Sequence, residues 1–248
     1  MKQSILFARR CRKELRRDLS FTVFCLGVPA FLLIFSRLAV HYFAPSAFSL
    51  SSLLVGAVIF SQAALCLFIA NLVACDKKEA YLIKLRFLSL PPRAAFGGYM
   101  LAGLFVSFLQ FFICFFVSLF LSLFGELSLS LSAFFPALFA QIPSLLFFVA
   151  TGVFVGILFK KRVARGACIL FILLSVLGCG IYFPLSAFGN VGEVLHFLPC
   201  ACTAQACEAF FANAQTFETF RFPLLLNCLY AFLAAILAFA AFRKKYLR

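Results

Sequence analysis

The chain has 248 residues, of which 65% are hydrophobic and only 12% charged, with a mean hydropathy of +1.10. Soluble domains carry roughly a quarter charged residues, so this composition excludes an ordinary soluble fold and implies an integral membrane protein. The formal net charge of +14 does not point to nucleic acid, because the basic residues fall in short blocks between apolar runs instead of interleaving with aromatics on one surface.

The chain opens on a cationic segment. Residues 4–18, "SILFARRCRKELRRD", set Ile5, Ala8, Cys11 and Leu15 at spacings of three and four, a narrow apolar stripe on a basic helix. Such a helix is expected to lie in the cytoplasmic interface, drawn to anionic lipid; a basic flank that only sets topology is the plainer alternative. Apolar runs of the length that crosses a ~30 Å hydrocarbon core then follow near Leu19–Phe35, Leu50–Ala74, Gly97–Phe124, Ala133–Phe159, Gly166–Phe183 and Phe222–Phe242, the first being the shortest. They do not alternate apolar with polar residues as barrel strands would, so an all-α integral membrane fold with six transmembrane helices is expected. No small-residue cleavage site clearly follows the first run, which reads as a retained anchor and not as a signal peptide.

Cation placement orients the spans. Basic blocks precede the first run, sit between the second and third, and follow the fourth and sixth; together they hold 20 of the 22 Lys and Arg, with Arg37 and Arg221 on the other side. Both termini are therefore expected in the cytoplasm, in a multi-pass protein of the plasma (inner) membrane, the whole of 1–248 forming one membrane domain.

Between the second and third runs, residues 75–93 form a charged cytoplasmic loop. Within it Tyr81, Leu82, Leu85 and Leu88 make a second apolar stripe from which Lys78, Lys84 and Arg86 are displaced, and Pro91 and Pro92 end the pattern. A short amphipathic helix follows, whose apolar face must rest on lipid headgroups, on the protein's own spans or on another protein. The outer segment 184–221 is long and too apolar for a solvated loop. Val191, Val194, Leu195 and Leu198 recur at helical spacing, Pro199 breaks the pattern, and a second helical stretch runs on through Phe211. Two short helices dipping into the outer leaflet fit it.

The drawn spans contain no Asp, Glu, Lys, Arg or His, which disfavours an ion-driven pump, sodium coupling through carbonyls excepted, a voltage-gated channel or an intramembrane hydrolase. Their polar groups are Gln62, Asn71, Gln110, Gln141 and Asn227. Gln62, Gln110, Gln141 and Asn227 could line a substrate path, although bonding between helices is the commoner use. Gly152 and Gly156 form a G-x-x-x-G pair that close helix packing explains. Most of the 11 cysteines lie in apolar runs as small hydrophobes; His196, Cys200, Cys202 and Cys207 form an outer cluster that could be a soft-metal site or could pair Cys207 with a neighbour in an oxidising compartment. Its C-x-C spacing is not the usual zinc pattern and no metal ligands are assigned, and the spans hold no nucleophile and base pair from which to assign catalytic residues. There is no G-x-x-x-x-G-K-[ST] phosphate loop, so the chain cannot bind nucleotide this way itself.

The order of these features resembles the type-2 membrane permease of ABC exporters, the family of multidrug, antibiotic and polysaccharide export permeases, over essentially the whole chain. Glu79 matches the family's acidic position, Tyr81 and Leu82 stand at its Gly-Thr pair, Leu85 and Leu88 fall in its leucine-rich turn, Ser89 at its serine and Arg93 at its basic residue, with the proline displaced to Pro91. Phe183, Pro184, Ser186, Pro199 and Thr203 match an F-P-x-S-x-x-P segment with its following proline and threonine, Gly189 replacing the middle proline. The resemblance implies an elbow helix over 1–18, a coupling helix seated in a separate P-loop ATPase that holds ATP and Mg, re-entrant helices between the fifth and sixth spans, and dimerisation with an identical or similar chain. It implies export of an amphiphilic substrate such as a drug, lipid, peptide or glycan-lipid, by a transporter subunit that is not itself an enzyme, that holds no cofactor, and that has membrane lipids but no nucleic acid among its partners. A haem-export type permease, or a non-transporting immunity or assembly scaffold, are the alternatives.

Overall fold

The computed structural model describes residues 2–43, 50–87, 90–123, 134–183, 185, 189–211 and 217–247. Leu88, Ser89, Pro184 and Ser186 lie outside the described residues. Those described form helices α1 (Lys2–Arg17), α2 (Leu19–Thr22), a π-helical turn (Val23–Gly27), α3 (Val28–Phe43), α4 (Leu50–Lys78), α5 (Tyr81–Phe87), α6 (Pro92–Ser122), α7 (Phe134–Leu158), α8 (Lys161–Gly178), α9 (Asn190–Leu195), α10 (Pro199–Phe211) and α11 (Phe217–Leu247), with no strand among them. Among the described residues, five segments are long and apolar enough to cross a membrane: Leu19–Leu38, Leu50–Lys78, Pro92–Ser122, Phe134–Leu158 and Arg221–Leu247. The chain is thus all-helical and consistent with a multi-pass membrane protein.

Helix α4 is the axis. It is apolar all round, and a helix of that kind is buried all round; α3, α6, α7, α8 and α10 all pack against it. Gly152 and Gly156 bring α7 onto it so closely that a Cβ at these positions would meet the Cys66 and Ala70 carbonyl oxygens at 2.7 and 2.5 Å. By contrast α11 turns Leu225, Leu229, Phe232, Leu233 and Ile236 outward, as a helix at the rim of a bundle in hydrocarbon does.

Prolines shape the ends and bends. Pro92 starts α6, where its missing N–H costs nothing. Pro29 cannot donate to the Cys25 carbonyl one turn earlier, and the chain loosens into the π turn just before it. The carbonyl so released accepts from Gln110 Nε2 of α6 at 3.0 Å.

Two expectations change. The stripe of α1 is Phe7, Ala8, Cys11 and Leu15, while Ile5 is 57% exposed. It packs on α6, where the Phe7 ring presses on Gly98 closely enough to leave no room for a Cβ, so α1 spends its apolar face on the protein and turns Arg9, Lys13, Arg16 and Arg17 outward. The fifth apolar run does not continue as helix to Phe183. Helix α8 stops at Gly178 and the chain turns at Gly180, φ +78°. Its apolar part, Gly166–Gly178, spans about 20 Å at 1.5 Å per residue, and its first turns carry Lys161, Arg162 and Arg165. Beyond the turn the Tyr182 ring reaches Gly56 near the far end of α4.

Candidate functional site: a polar knot at the basic end of the bundle

The last two turns of α4 carry Asn71, Asp76 and Lys77, and each reaches a different neighbour. Asp76 is 1% exposed. Arg10 of α1 meets it in a two-pronged contact, Nη1 donating to Oδ2 at 2.8 Å and Nη2 to Oδ1 at 2.7 Å. The Tyr99 hydroxyl of α6 donates to the same Oδ2. Arg10 also donates through Nε to Glu14 at 2.8 Å, and its guanidinium stacks 3.8 Å over the Tyr81 ring of α5. One arginine therefore ties together α1, α4, α5 and, through Asp76, α6. Burial alone would weaken the Arg10 charge, but the Asp76 carboxylate outweighs it and holds the guanidinium's pKa above its ordinary value.

Lys77 turns the other way. Its Nζ donates to the carbonyls of Gly156 and Ile157 at 3.0 and 2.9 Å and to that of Phe159, so it caps the C-terminus of α7, where carbonyls lack helical partners and a cation is favoured. Arg165 of α8 donates to Asn71 Oδ1 at 3.1 Å, and Tyr246 of α11 donates to the Leu90 carbonyl beyond α5 at 2.7 Å. These bonds bring all four basic blocks, and the ends of α1 and α11, to one end of the bundle.

Short helix α5 hangs from this knot. Glu79 N–H closes α4 on the Cys75 carbonyl; then Ala80, at φ +55°, reverses the chain and accepts from the N–H groups of Ile83 and Lys84. Leu82 and Leu85, 6% and 5% exposed, pack into the same core as Phe7, Tyr99 and Phe242. The protein's own spans are what the apolar face of α5 rests on. Its outer face presents Ile83, Lys84 and Phe87, the last 84% exposed. Glu79 and Arg93 are exposed beside it.

The other singled-out residues lie within the bundle. Gln62 Nε2 donates to Gln141 Oε1 at 3.1 Å and Gln62 Oε1 accepts from Ser144 at 2.8 Å, joining α4 to α7. Besides Cys25 O, Gln110 donates to the Ser61 carbonyl at 3.1 Å. Asn227 donates to Thr203 Oγ1 at 2.9 Å, and Thr203 donates to the Pro199 carbonyl one turn back in α10. All of these polar side chains are buried, and each of these bonds but the last joins two helices. Phe183 is half exposed at the turn after α8. Cys200, Cys202 and Cys207 are buried free thiols, and among the described residues no three His, Cys, Asp or Glu side chains come together to hold a metal ion.

Sequence reasoning passed over Asp76, Arg10 and Tyr99. The second apolar run ends at Ala74, two residues before Asp76, and Arg10 reads only as one more cation in the basic block ahead of the first run. The available signal was stoichiometric: with 22 basic residues against 8 acidic, an acid one turn beyond an apolar run sits among cations in excess. No family model matches the chain, and no curated protein or solved structure matches it.

Proposed function

We propose that the chain is the membrane permease of an ATP-driven exporter of the ABC type-2 class, working as a dimer with cytoplasmic P-loop ATPase subunits that supply ATP and Mg. The observation that carries the reading is α5: a seven-residue helix whose inner face is fused to the span ends and whose outer face offers Ile83, Lys84 and Phe87. A push on the outer face reaches α4 through Ala80 and α1 through Tyr81 and Arg10. That is what a lever between a motor and a set of spans requires: rigid attachment on one side and a free apolar contact on the other. In this reading the basic end is cytoplasmic, α8 with the turn after it makes a sixth crossing, and α9 and α10 return into the outer leaflet as the gate around Phe183, Pro199 and Thr203. An amphiphilic substrate would move outward between the protomers.

The test is purification of the tagged chain from its native membranes in mild detergent, beside an Ile83→Asp, Phe87→Asp variant. Both side chains are exposed, so the variant should fold. A P-loop ATPase should come with the native chain, its hydrolysis stimulated, and be lost with the variant. A chain that emerges without an ATPase, or one whose ATPase ignores both substitutions, would overturn the reading and favour a scaffold.

A further inference from the structure

A cavity of about 820 Å³ opens between α1, the start of the first span and α6. Its polar wall is Arg9, Arg12, Lys13 and Arg16, and no acidic residue lines it. We infer that this cavity is a binding site for an anionic phospholipid, the four cations holding the headgroup phosphate and α6 receiving an acyl chain.

Three observations carry the inference. First, the charges are unspent. Arg10, on the adjoining face, is committed to Asp76 and Glu14, and Arg12 lies 4.2 Å over the Phe105 ring. Arg9, Lys13 and Arg16, at spacings of four and three, have no hydrogen-bond or ion-pair partner among the described residues. Like charges at these spacings repel one another on a helix, and an anion between them removes that repulsion. Second, the floor is apolar and continues outward. Phe21, Phe105 and Leu109 line the cavity, and from Phe105 an exposed strip runs through Leu109 and Phe112 to Phe116, about 16 Å along the helix. A free anion or an acidic peptide has no use for that strip; an acyl chain does. Third, the depth is right. Phe105 lies six residues beyond Tyr99, about 9 Å along α6, and Tyr99 is level with Asp76 near the end of α4. The cations thus sit where the apolar surface of the spans begins, the level at which headgroups meet basic side chains. The inference needs only a chain lying in a membrane and does not depend on export.

The test titrates the full-length purified chain in neutral detergent with dioleoyl phosphatidylglycerol, dioleoyl phosphatidylcholine or inorganic phosphate, counting bound lipid by native mass spectrometry and following thermal unfolding. Three proteins are compared: the native chain, an Arg9→Gln, Lys13→Gln, Arg16→Gln variant, and a control with Arg243→Gln, Lys244→Gln, Lys245→Gln that removes the same charge elsewhere at the same end. Phosphatidylglycerol should bind the native chain and the control alike and the pocket variant at least about tenfold more weakly, with phosphatidylcholine weak throughout. Leu109→Asn should weaken phosphatidylglycerol while leaving any response to phosphate unchanged. Equal losses in the pocket variant and the control would reduce the site to diffuse attraction and overturn the inference. So would equal binding of the two lipids, phosphate acting as strongly as lipid, or a pocket variant that keeps its lipid. If the triple variant does not fold, Lys13→Gln is compared with Lys244→Gln, and a loss of about fivefold in the first alone is expected; equal losses overturn the inference.

Discussion

The basic end of the bundle and its interior solve one problem, fastening helix to helix, with different chemistry. At the basic end the fasteners are charged: Arg10 on Asp76, Lys77 on the last carbonyls of α7, Arg165 on Asn71. In the interior they are neutral amides and hydroxyls: Gln62 with Gln141 and Ser144, Gln110 with two carbonyls, Asn227 with Thr203. Charges are costly in hydrocarbon and tolerable near water, so strong fasteners collect at the end and weak ones run through the middle. The difference teaches where stability is concentrated: losing a fastener should cost most at the basic end and least in the interior.

The largest expected effect breaks the basic end. Arg10→Met leaves the buried Asp76 carboxylate with Tyr99 but no cation, and should destabilise the protein by about 3–5 kcal/mol, the usual cost of stranding one partner of a buried pair. Arg10→Met with Asp76→Asn should recover much of that loss, because the only charge then left without its partner is Glu14, which is 40% exposed. Unfolding in mixed detergent micelles measures both. A cost for Arg10→Met below about 1 kcal/mol, that of an exposed pair, would mean that water reaches Asp76 and that the two regions do not differ.

The next effect has the opposite sign and sharpens the picture of how the knot is tied. Ala80 sits at φ +55°, in the left-handed region that costs a residue with a Cβ about 1–2 kcal/mol. Ala80→Gly should therefore stabilise the protein by about 1 kcal/mol, after the entropy that glycine loses on folding, in the same unfolding measurement. A neutral or destabilising outcome would show that the turn into α5 is not strained.

The two regions were unequally legible in the sequence. Apolar runs and prolines located the long helices and the short one after α4, because hydrocarbon thickness and the missing proline N–H act through chain-local rules. The Gly152 and Gly156 pair likewise announced a close contact, though not that α4 would be its partner. The fifth run reads longer than its helix because apolar residues continue through Ile181 and Phe183 past the point where Gly178 and Gly180 let the chain turn. Of the knot, only its location was visible. Arg10 could be matched to Asp76 only by a contact spanning 66 residues, and nothing local separates Arg10 from Arg9 or Arg12. Leu82 and Leu85 were legible as a stripe but not in the direction they face, since an apolar face reads alike whether its partner is the same chain or another.

The smallest effect probes the interior. Gln62→Leu removes both bonds between α4 and α7 that the amide makes, leaving Ser144 Oγ and Gln141 Oε1 without partners. A soluble core would lose about 1–3 kcal/mol from such orphans. In a membrane protein the unfolded chain also finds partners, and single interhelical bonds average about 0.6 kcal/mol, so the loss should be near 1 kcal/mol. Gln62→Leu with Gln141→Leu and Ser144→Ala should cost less than Gln62→Leu alone, because no polar group remains to be stranded. Close packing at Gly152 and Gly156 would then hold α7 on α4 unaided. If the triple variant costs as much as Arg10→Met, the amides are anchors in their own right, and the contrast between the two regions has to be abandoned.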